Sequence, residues 1–157
     1  MAWIKGSNYA DDIDGTAYGD RIEGFGGDDW IWGYGGNDLL FGGTGNDILT
    51  GGGGADDFHF DSALNSASNV DRIADFQVGS DAILLDRDIF TRVGLGTLSP
   101  GAFVEGTRAF DAGDRILYDQ DSGRIFYDAD GSGAAAARLF AIVTPGTDLI
   151  ASDFIGY

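Results

Sequence analysis

The sequence predicts an all-β chain. A parallel β-roll, two sheets wound as a flattened β-helix, spans residues 6–60, and a capping region of strands and hairpins spans 61–157. Three observations predict it. Residues 6–59 divide without a gap into six nine-residue blocks: GSNYADDID, GTAYGDRIE, GFGGDDWIW, GYGGNDLLF, GGTGNDILT and GGGGADDFH. Position 1 is always glycine (Gly6, Gly15, Gly24, Gly33, Gly42, Gly51) and position 6 always aspartate (Asp11, Asp20, Asp29, Asp38, Asp47, Asp56). Position 8 is always large and apolar (Ile13, Ile22, Ile31, Leu40, Leu49, Phe58). A fixed short period of this kind is the mark of a solenoid, in which each repeat buries its apolar residue only against its neighbours.

Each block has a loop half and a strand half. Glycine at position 1, and at position 4 of the last four blocks (Gly27, Gly36, Gly45, Gly54), permits a tight turn. Positions 7 to 9 form a short strand whose middle side chain points inward, because strand side chains alternate. Two blocks make one turn, so odd blocks stack into one sheet and even blocks into the other. Ile13, Ile31 and Leu49 then face Ile22, Leu40 and Phe58 across a thin core. Stacking also sets loops n and n+2 about 4.8 Å apart. Asp11, Asp29 and Asp47 line one edge, and Asp20, Asp38 and Asp56 the other. Carboxylates in such rows repel unless a cation lies between them. Ca²⁺ takes about six to eight oxygen ligands, which carboxylates and turn carbonyls can supply.

After the roll, Phe58 and Phe60 are suited to closing its open end, and 62–69 reads as a small, polar linker. In 69–90, Ile73 with Phe76 and Ile83 with Leu85 mark short strands parted by a Gly79-Ser80 turn. Residues 91–106 read as loop, with Pro100-Gly101 as a turn. Ile116 and Tyr118, then Ile125 and Tyr127, alternate around turns at Asp121-Ser122-Gly123 and Asp130-Gly131. A third strand is expected through Phe140, Ile142 and Val143 in preference to a helix from Ala134 to Ala137.

The chain has 157 residues, 26 acids and 9 Lys or Arg, for a formal net charge of −17. That balance makes nucleic acid and anionic membranes poor partners and divalent cations good ones. There is no cysteine for a disulfide or thiolate metal site. MAWIKGSNYADD has no basic region followed by an apolar run, so no Sec signal peptide is read there. No apolar run reaches membrane-spanning length, so no membrane insertion is expected. The 27 glycines raise the entropic cost of ordering the chain, and stacked charge adds to it. The roll is therefore expected to be disordered without calcium and to fold on binding it.

The blocks match G-G-x-G-x-D-x-U-x, so the chain resembles the RTX (repeats-in-toxin) calcium-binding β-roll family. The resemblance implies ions between loops n and n+2, held by the six position 6 aspartates and by carbonyls near positions 1, 2 and 4. Those carbonyls belong to Gly24, Gly27, Gly33, Gly36, Gly42, Gly43, Gly45, Gly51, Gly52 and Gly54. It implies about four ions, from blocks 1 with 3, 2 with 4, 3 with 5, and 4 with 6. The last two pairs fit best, because Tyr9 and Tyr18 replace glycine at position 4 of blocks 1 and 2. Asp71 and Asp75 are placed to complete a terminal site against the last loop, as post-repeat acids do in some relatives. The run Asp71 to Asp86, DRILYDQDSGRIFYDADGSGAAAA and the closing ASDFIGY resemble the C-terminal regions of proteins exported by type I secretion in Gram-negative bacteria. The implied function is a calcium module of a secreted, extracellular protein, with the type I secretion machinery as its partner during export.

Other candidates are weighed against plainer readings. Asp128 to Gly133 looks like the start of an EF-hand loop, but loop position 12 is Phe140, so a hairpin turn is favoured. His59, the one histidine, reads as a surface residue, and no catalytic motif surrounds it, so the chain is not read as an enzyme. The outward positions 7 and 9 carry Trp30, Trp32 and Ile48 on the odd sheet and Leu39 with Phe41 on the even sheet. Such apolar patches mark contacts. Either the C-terminal strands cover one of them, or they serve polysaccharide binding, as in secreted alginate epimerases, or self-association. An upstream catalytic domain, with this chain as its C-terminal part, is a further reading.

Overall fold

A computed structural model describes residues 1–157. The strands are β1 (Trp3–Lys5), β2 (Asp12–Thr16), β3 (Arg21–Glu23), β4 (Trp30–Tyr34), β5 (Leu39–Phe41), β6 (Ile48–Thr50), β7 (Asp57–Phe60), β8 (Asp71–Ile73) and β9 (Ala82–Leu85). They continue as β10 (Gly96–Thr97), β11 (Phe103–Glu105), β12 (Ile116–Asp119), β13 (Arg124–Tyr127), β14 (Arg138–Ile142) and β15 (Phe154–Gly156). Two single-turn 3₁₀ segments, Pro100–Ala102 and Ala151–Asp153, are the sole helical elements. No helix is long and apolar enough to cross a membrane.

The odd blocks give β2, β4 and β6, which pair in parallel with Ile13 beside Ile31 and Ile31 beside Leu49. The even blocks give β3, β5 and β7, with Ile22 beside Leu40 and Leu40 beside Phe58. All six inward residues are buried, as the period requires. The roll begins one half-turn before the first glycine. β1 pairs in parallel with β3 and sets Ile4 beside Ile22.

Both sheets run on past residue 60. On the odd sheet β8 follows β6, then β14, β13, β12 and β11; on the even sheet β9 follows β7, then β15 and β10. β8 and β9 are the two short strands expected on either side of Gly79-Ser80, and each extends a different sheet. Phe58 and Phe60 do not close an end either, since β9 lies beyond them, with Ile83 and Leu85 at their sides. The expected hairpins are present, β12 with β13 and β13 with β14, both antiparallel. Residues 128–137 form the loop of the second, and Ala134 to Ala137 are not helical. The stretch 91–106 holds two strands where loop alone was expected, β10 and β11. A single core of 22 buried residues runs from Ile13 through Leu49 and Phe58 to Phe90, Phe140 and Phe154. Phe90 and Phe60 both meet Phe140 edge-on, at 5.0 and 5.1 Å between ring centroids.

Candidate calcium-binding edges of the roll

The position 6 aspartates form two ladders. From block 3 onward, one carboxylate oxygen of each accepts the backbone N–H of the aspartate one turn earlier. Asp29 accepts from Asp11 at 2.8 Å, Asp38 from Asp20 at 2.7 Å, Asp47 from Asp29 at 2.8 Å and Asp56 from Asp38 at 2.9 Å. The ladders continue beyond the repeats. Asp71 accepts from Asp47 at 3.2 Å and Asp81 from Asp56 at 3.1 Å. Asp71 therefore stands on the odd edge beside block 5, not against the loop of block 6 where it was expected with Asp75. Asp81, which the sequence reading did not single out, plays the same part on the even edge.

The second carboxylate oxygen, Oδ2, separates the blocks. In Asp29, Asp38, Asp47 and Asp56 it is buried and has no hydrogen-bond partner. A buried anionic oxygen without a partner is costly. Each of these four oxygens faces the Cα of its own block's first glycine, Gly24, Gly33, Gly42 or Gly51, so closely that any Cβ would collide with it. At Gly24 the same point lies 2.5 Å from the carbonyl oxygen of Gly42, and at Gly33 it lies 2.6 Å from that of Gly51. Carboxylate and carbonyl oxygens from loops n and n+2 thus flank one small space. No three carboxylate or imidazole side chains converge anywhere. The donors are one or two carboxylates and backbone carbonyls, which suits a hard cation such as Ca²⁺.

The loops of blocks 3 to 6 share a distinctive backbone. Position 4 has positive φ at Gly27, Gly36, Gly45 and Gly54, and so does position 2, at Phe25 (73°), Tyr34 (72°), Gly43 (98°) and Gly52 (95°). The left-handed region costs an ordinary residue roughly 1–2 kcal/mol, so Phe25 and Tyr34 hold strain. Blocks 1 and 2 have no positive φ at any position. There Oδ2 is satisfied internally: Asp11 accepts from the Ser7 N–H (2.6 Å) and hydroxyl (2.7 Å), and Asp20 from those of Thr16 (2.8 and 2.7 Å). Asp11 and Asp20, expected as ligands of the less well-formed sites, are already hydrogen-bonded.

Charge follows the same division. Burial, reinforced by neighbouring carboxylates, raises the pKa of Asp29, Asp38 and Asp56. Burial pushes Asp47 up to about 6. It holds Asp71 well above the usual carboxylate range, with the Asp47 charge adding to the effect. Burial also opposes ionisation of Asp20, yet the Thr16 hydroxyl and the N–H groups of Ala2 and Thr16 outweigh it and bring its pKa below the ordinary value.

At the C-terminal end, side chains stand in for the next turn. Asp75 accepts the N–H groups of Gly51 (3.0 Å) and Gly52 (2.8 Å), and Ser62 and Ser80 donate to the carbonyls of Gly43 and Gly54 at 2.6 Å. Asp75 thus lies on the even edge, not beside Asp71. Asp128 to Gly133 sits in the β13–β14 loop, where Asp128 accepts from the Asp130 N–H at 3.2 Å, a turn contact.

The two outer faces differ. On the even sheet Phe41 is covered, while Leu39 stays half-buried: the Arg21 guanidinium lies 4.1 Å from the Phe41 ring centroid, and His59 stacks on Phe41 at 4.0 Å. Tyr157 meets His59 edge-on at 5.2 Å. His59 is consequently buried, not on the surface, with both ring nitrogens unpartnered, and burial lowers its pKa to about 4. On the odd sheet Trp30 remains 49% exposed beside the half-buried Trp32, 5.5 Å apart. A row of side chains crosses that face from Trp30 through Ile48, Arg72 and Ile142 to Arg124.

Two parallel sheets edged by repeating oxygen cradles define a calcium-binding β-roll. A family described as the RTX calcium-binding nonapeptide repeat (4 copies) matches residues 5–40 and 32–62. Two solved structures are similar over almost the whole chain, both repeat subunits of the Azotobacter vinelandii mannuronan C5-epimerase. The solution structure of AlgE6R3 is 31% identical, with a TM-score of 0.61, covering 95% of this chain and 80% of that one. The solution structure of AlgE6R2 is 32% identical, with a TM-score of 0.58, covering 96% and 90%. No curated protein matches. The chain belongs to the RTX calcium-binding repeat family.

Proposed function

We propose that the chain is the calcium-folded module of a protein secreted from a Gram-negative bacterium through a type I system, without catalytic activity of its own. The observation that carries this reading is the set of four buried, unpartnered Asp oxygens in blocks 3 to 6. In the cytosol, calcium is far below the ~10⁻⁴ to 10⁻³ M range of extracellular sites, and the chain stays extended and export-competent. Outside the cell, ions occupy the cradles and the roll folds, which opposes back-sliding. When bound, calcium supplies positive charge between adjacent loops; Asp29, Asp38, Asp47 and Asp56 would hold it, with carbonyls of the position 1, 2 and 4 residues, and Asp71 at the terminal turn. Far-UV circular dichroism tests the reading: β structure is expected in millimolar calcium and its loss in excess chelator. A folded spectrum in chelator at pH 7 would sink it.

A second reading is favoured by the odd-sheet face, where exposed Trp30 lies in one row with Arg72 and Arg124. In a chain of net charge −17, two cations beside an aromatic platform suit a sugar polymer that carries carboxylates. The mannuronan epimerase origin of the two similar structures supports such a ligand. Trp30→Ser with Arg72→Ala is expected to weaken retention on a polyuronate column at least tenfold while leaving calcium-dependent folding intact. If folding is lost instead, the face is internal packing.

A further inference from the structure

We propose that blocks 1 and 2 are a cation-independent N-terminal cap, in which the hydroxyls of Ser7 and Thr16 do the work that calcium does in blocks 3 to 6. The proposal rests on the calcium reading above and fixes where along the roll that reading stops. Five position 6 aspartates, Asp20 to Asp56, are buried to the same degree, at 0–1% exposure. Four leave one oxygen without a partner; Asp20 does not. What differs is position 2 of the block. Thr16 holds its N–H and hydroxyl on one Asp20 oxygen at 2.8 and 2.7 Å, and Ser7 does the same for Asp11 at 2.6 and 2.7 Å.

Those bonds need a loop that bends back on its own aspartate, and blocks 1 and 2 have such a loop. Each hydroxyl also caps the turn, accepting from the Tyr9 or Tyr18 N–H at 3.2 Å. The left-handed residues at positions 2 and 4 turn the loop differently in blocks 3 to 6. Phe25 and Tyr34 adopt that conformation although they have side chains, so the calcium loop is imposed on them by their place in the stack. The half-turn stacked on block 2 is β1, which carries Ala2 where the blocks carry aspartate and so offers Asp20 no carboxylate to share an ion with. A solenoid needs terminal repeats that satisfy their own polar groups, and a hydroxyl is a neutral donor that is present at any calcium concentration.

The expected ion set is therefore displaced toward the C-terminus. Asp29 and Asp38 anchor shared cradles with the loops of Gly42 and Gly51, while Asp11 and Asp20 anchor none. Equilibrium dialysis with radiolabelled calcium on the full chain tests this. The variant Asp11→Asn with Asp20→Asn should bind as many ions as the unaltered protein, whereas Asp29→Asn with Asp38→Asn should bind fewer. Loss of ions in the first variant overturns the proposal. Should that variant not fold, Ser7→Ala with Thr16→Val keeps both carboxylates. It should melt a few degrees lower at saturating calcium with no fall in ion number; an unchanged melting temperature, or a lower ion count, overturns the proposal. If the unaltered protein binds no calcium at all, the calcium reading fails and the proposal with it.

Discussion

Gly33→Ala is expected to abolish a cation site on the even edge and to destabilise the calcium-loaded roll by about 3 kcal/mol or more. The new Cβ would collide with Asp38 Oδ2 and lie 2.6 Å from the Gly51 carbonyl oxygen. Asp38 is not free to yield. Asp38 is held by the Asp20 N–H at 2.7 Å, and the strand after it by the Asp57 N–H on the Asp38 carbonyl at 2.8 Å. Overpacking of this kind costs roughly 1–3 kcal/mol. An ion present at about a hundred times its Kd stabilises by about 2.7 kcal/mol, and that is lost as well. Gly53→Ala is the control. Gly53 lies in the loop stacked on block 4, has no positive φ and has nothing within 4 Å of a new Cβ. It should change stability by less than about 0.5 kcal/mol. Thermal melts across a calcium series compare the two. If Gly33→Ala melts like Gly53→Ala and keeps the full calcium dependence, the cradle is not where calcium acts.

Most of the roll was legible in the sequence because its period fixes the register. Once Gly24, Gly33, Gly42 and Gly51 are nine apart, Ile31 must lie beside Leu49 and Asp29 beside Asp47; no other stacking keeps all apolar side chains inward. The hairpins β12–β13 and β13–β14 were legible for a local reason, the turn residues Asp121-Ser122-Gly123 and Asp130-Gly131 between alternating strands. The sequence reading missed half-turns that keep the strand but lack the glycine loop. β1 has Ile4 nine residues before Ile13, yet Ala2 where every block has aspartate. β8 and β9 keep Asp71 with Ile73 and Asp81 with Ile83, the same aspartate-to-apolar spacing as every block. Their turns are longer, 24 residues from Asp47 to Asp71 and 25 from Asp56 to Asp81, which hides the period.

Other features depend on residues far apart in the chain. The burial of His59 is set by Tyr157 at the other end of the sequence, so its neighbours Phe58 and Phe60 say nothing of it. The difference between Asp20 and Asp29 is local, in Thr16 against Phe25 at position 2, and was readable. Tyr9 and Tyr18 at position 4 are the more conspicuous departures from the repeat. Those tyrosines are exposed and mark the same two blocks, but the hydroxyls explain why those blocks need no cation.

Acid should stand in for calcium. Burial pushes the Asp47 pKa up to about 6 and holds that of Asp71 well above the usual carboxylate range. A carboxyl whose folded pKa exceeds its unfolded value of about 3.9 binds more protons in the folded state between those two values. Without calcium, stability is therefore highest below pH ~4 and falls as pH rises through about 6. His59 works in the opposite sense. Its folded pKa of about 4 lies below the unfolded value near 6.5, so its contribution is complete above pH ~6.5 and declines as pH falls toward 4. In the His59→Phe variant that opposing contribution is absent. In excess chelator, this variant should gain folded signal by circular dichroism as pH falls from 7 to about 4.5. In millimolar calcium the sign should reverse, because protons then compete with the ion for the same oxygens. A folded fraction in chelator that falls on acidification would show that stacked carboxylate charge is not what keeps the roll from folding.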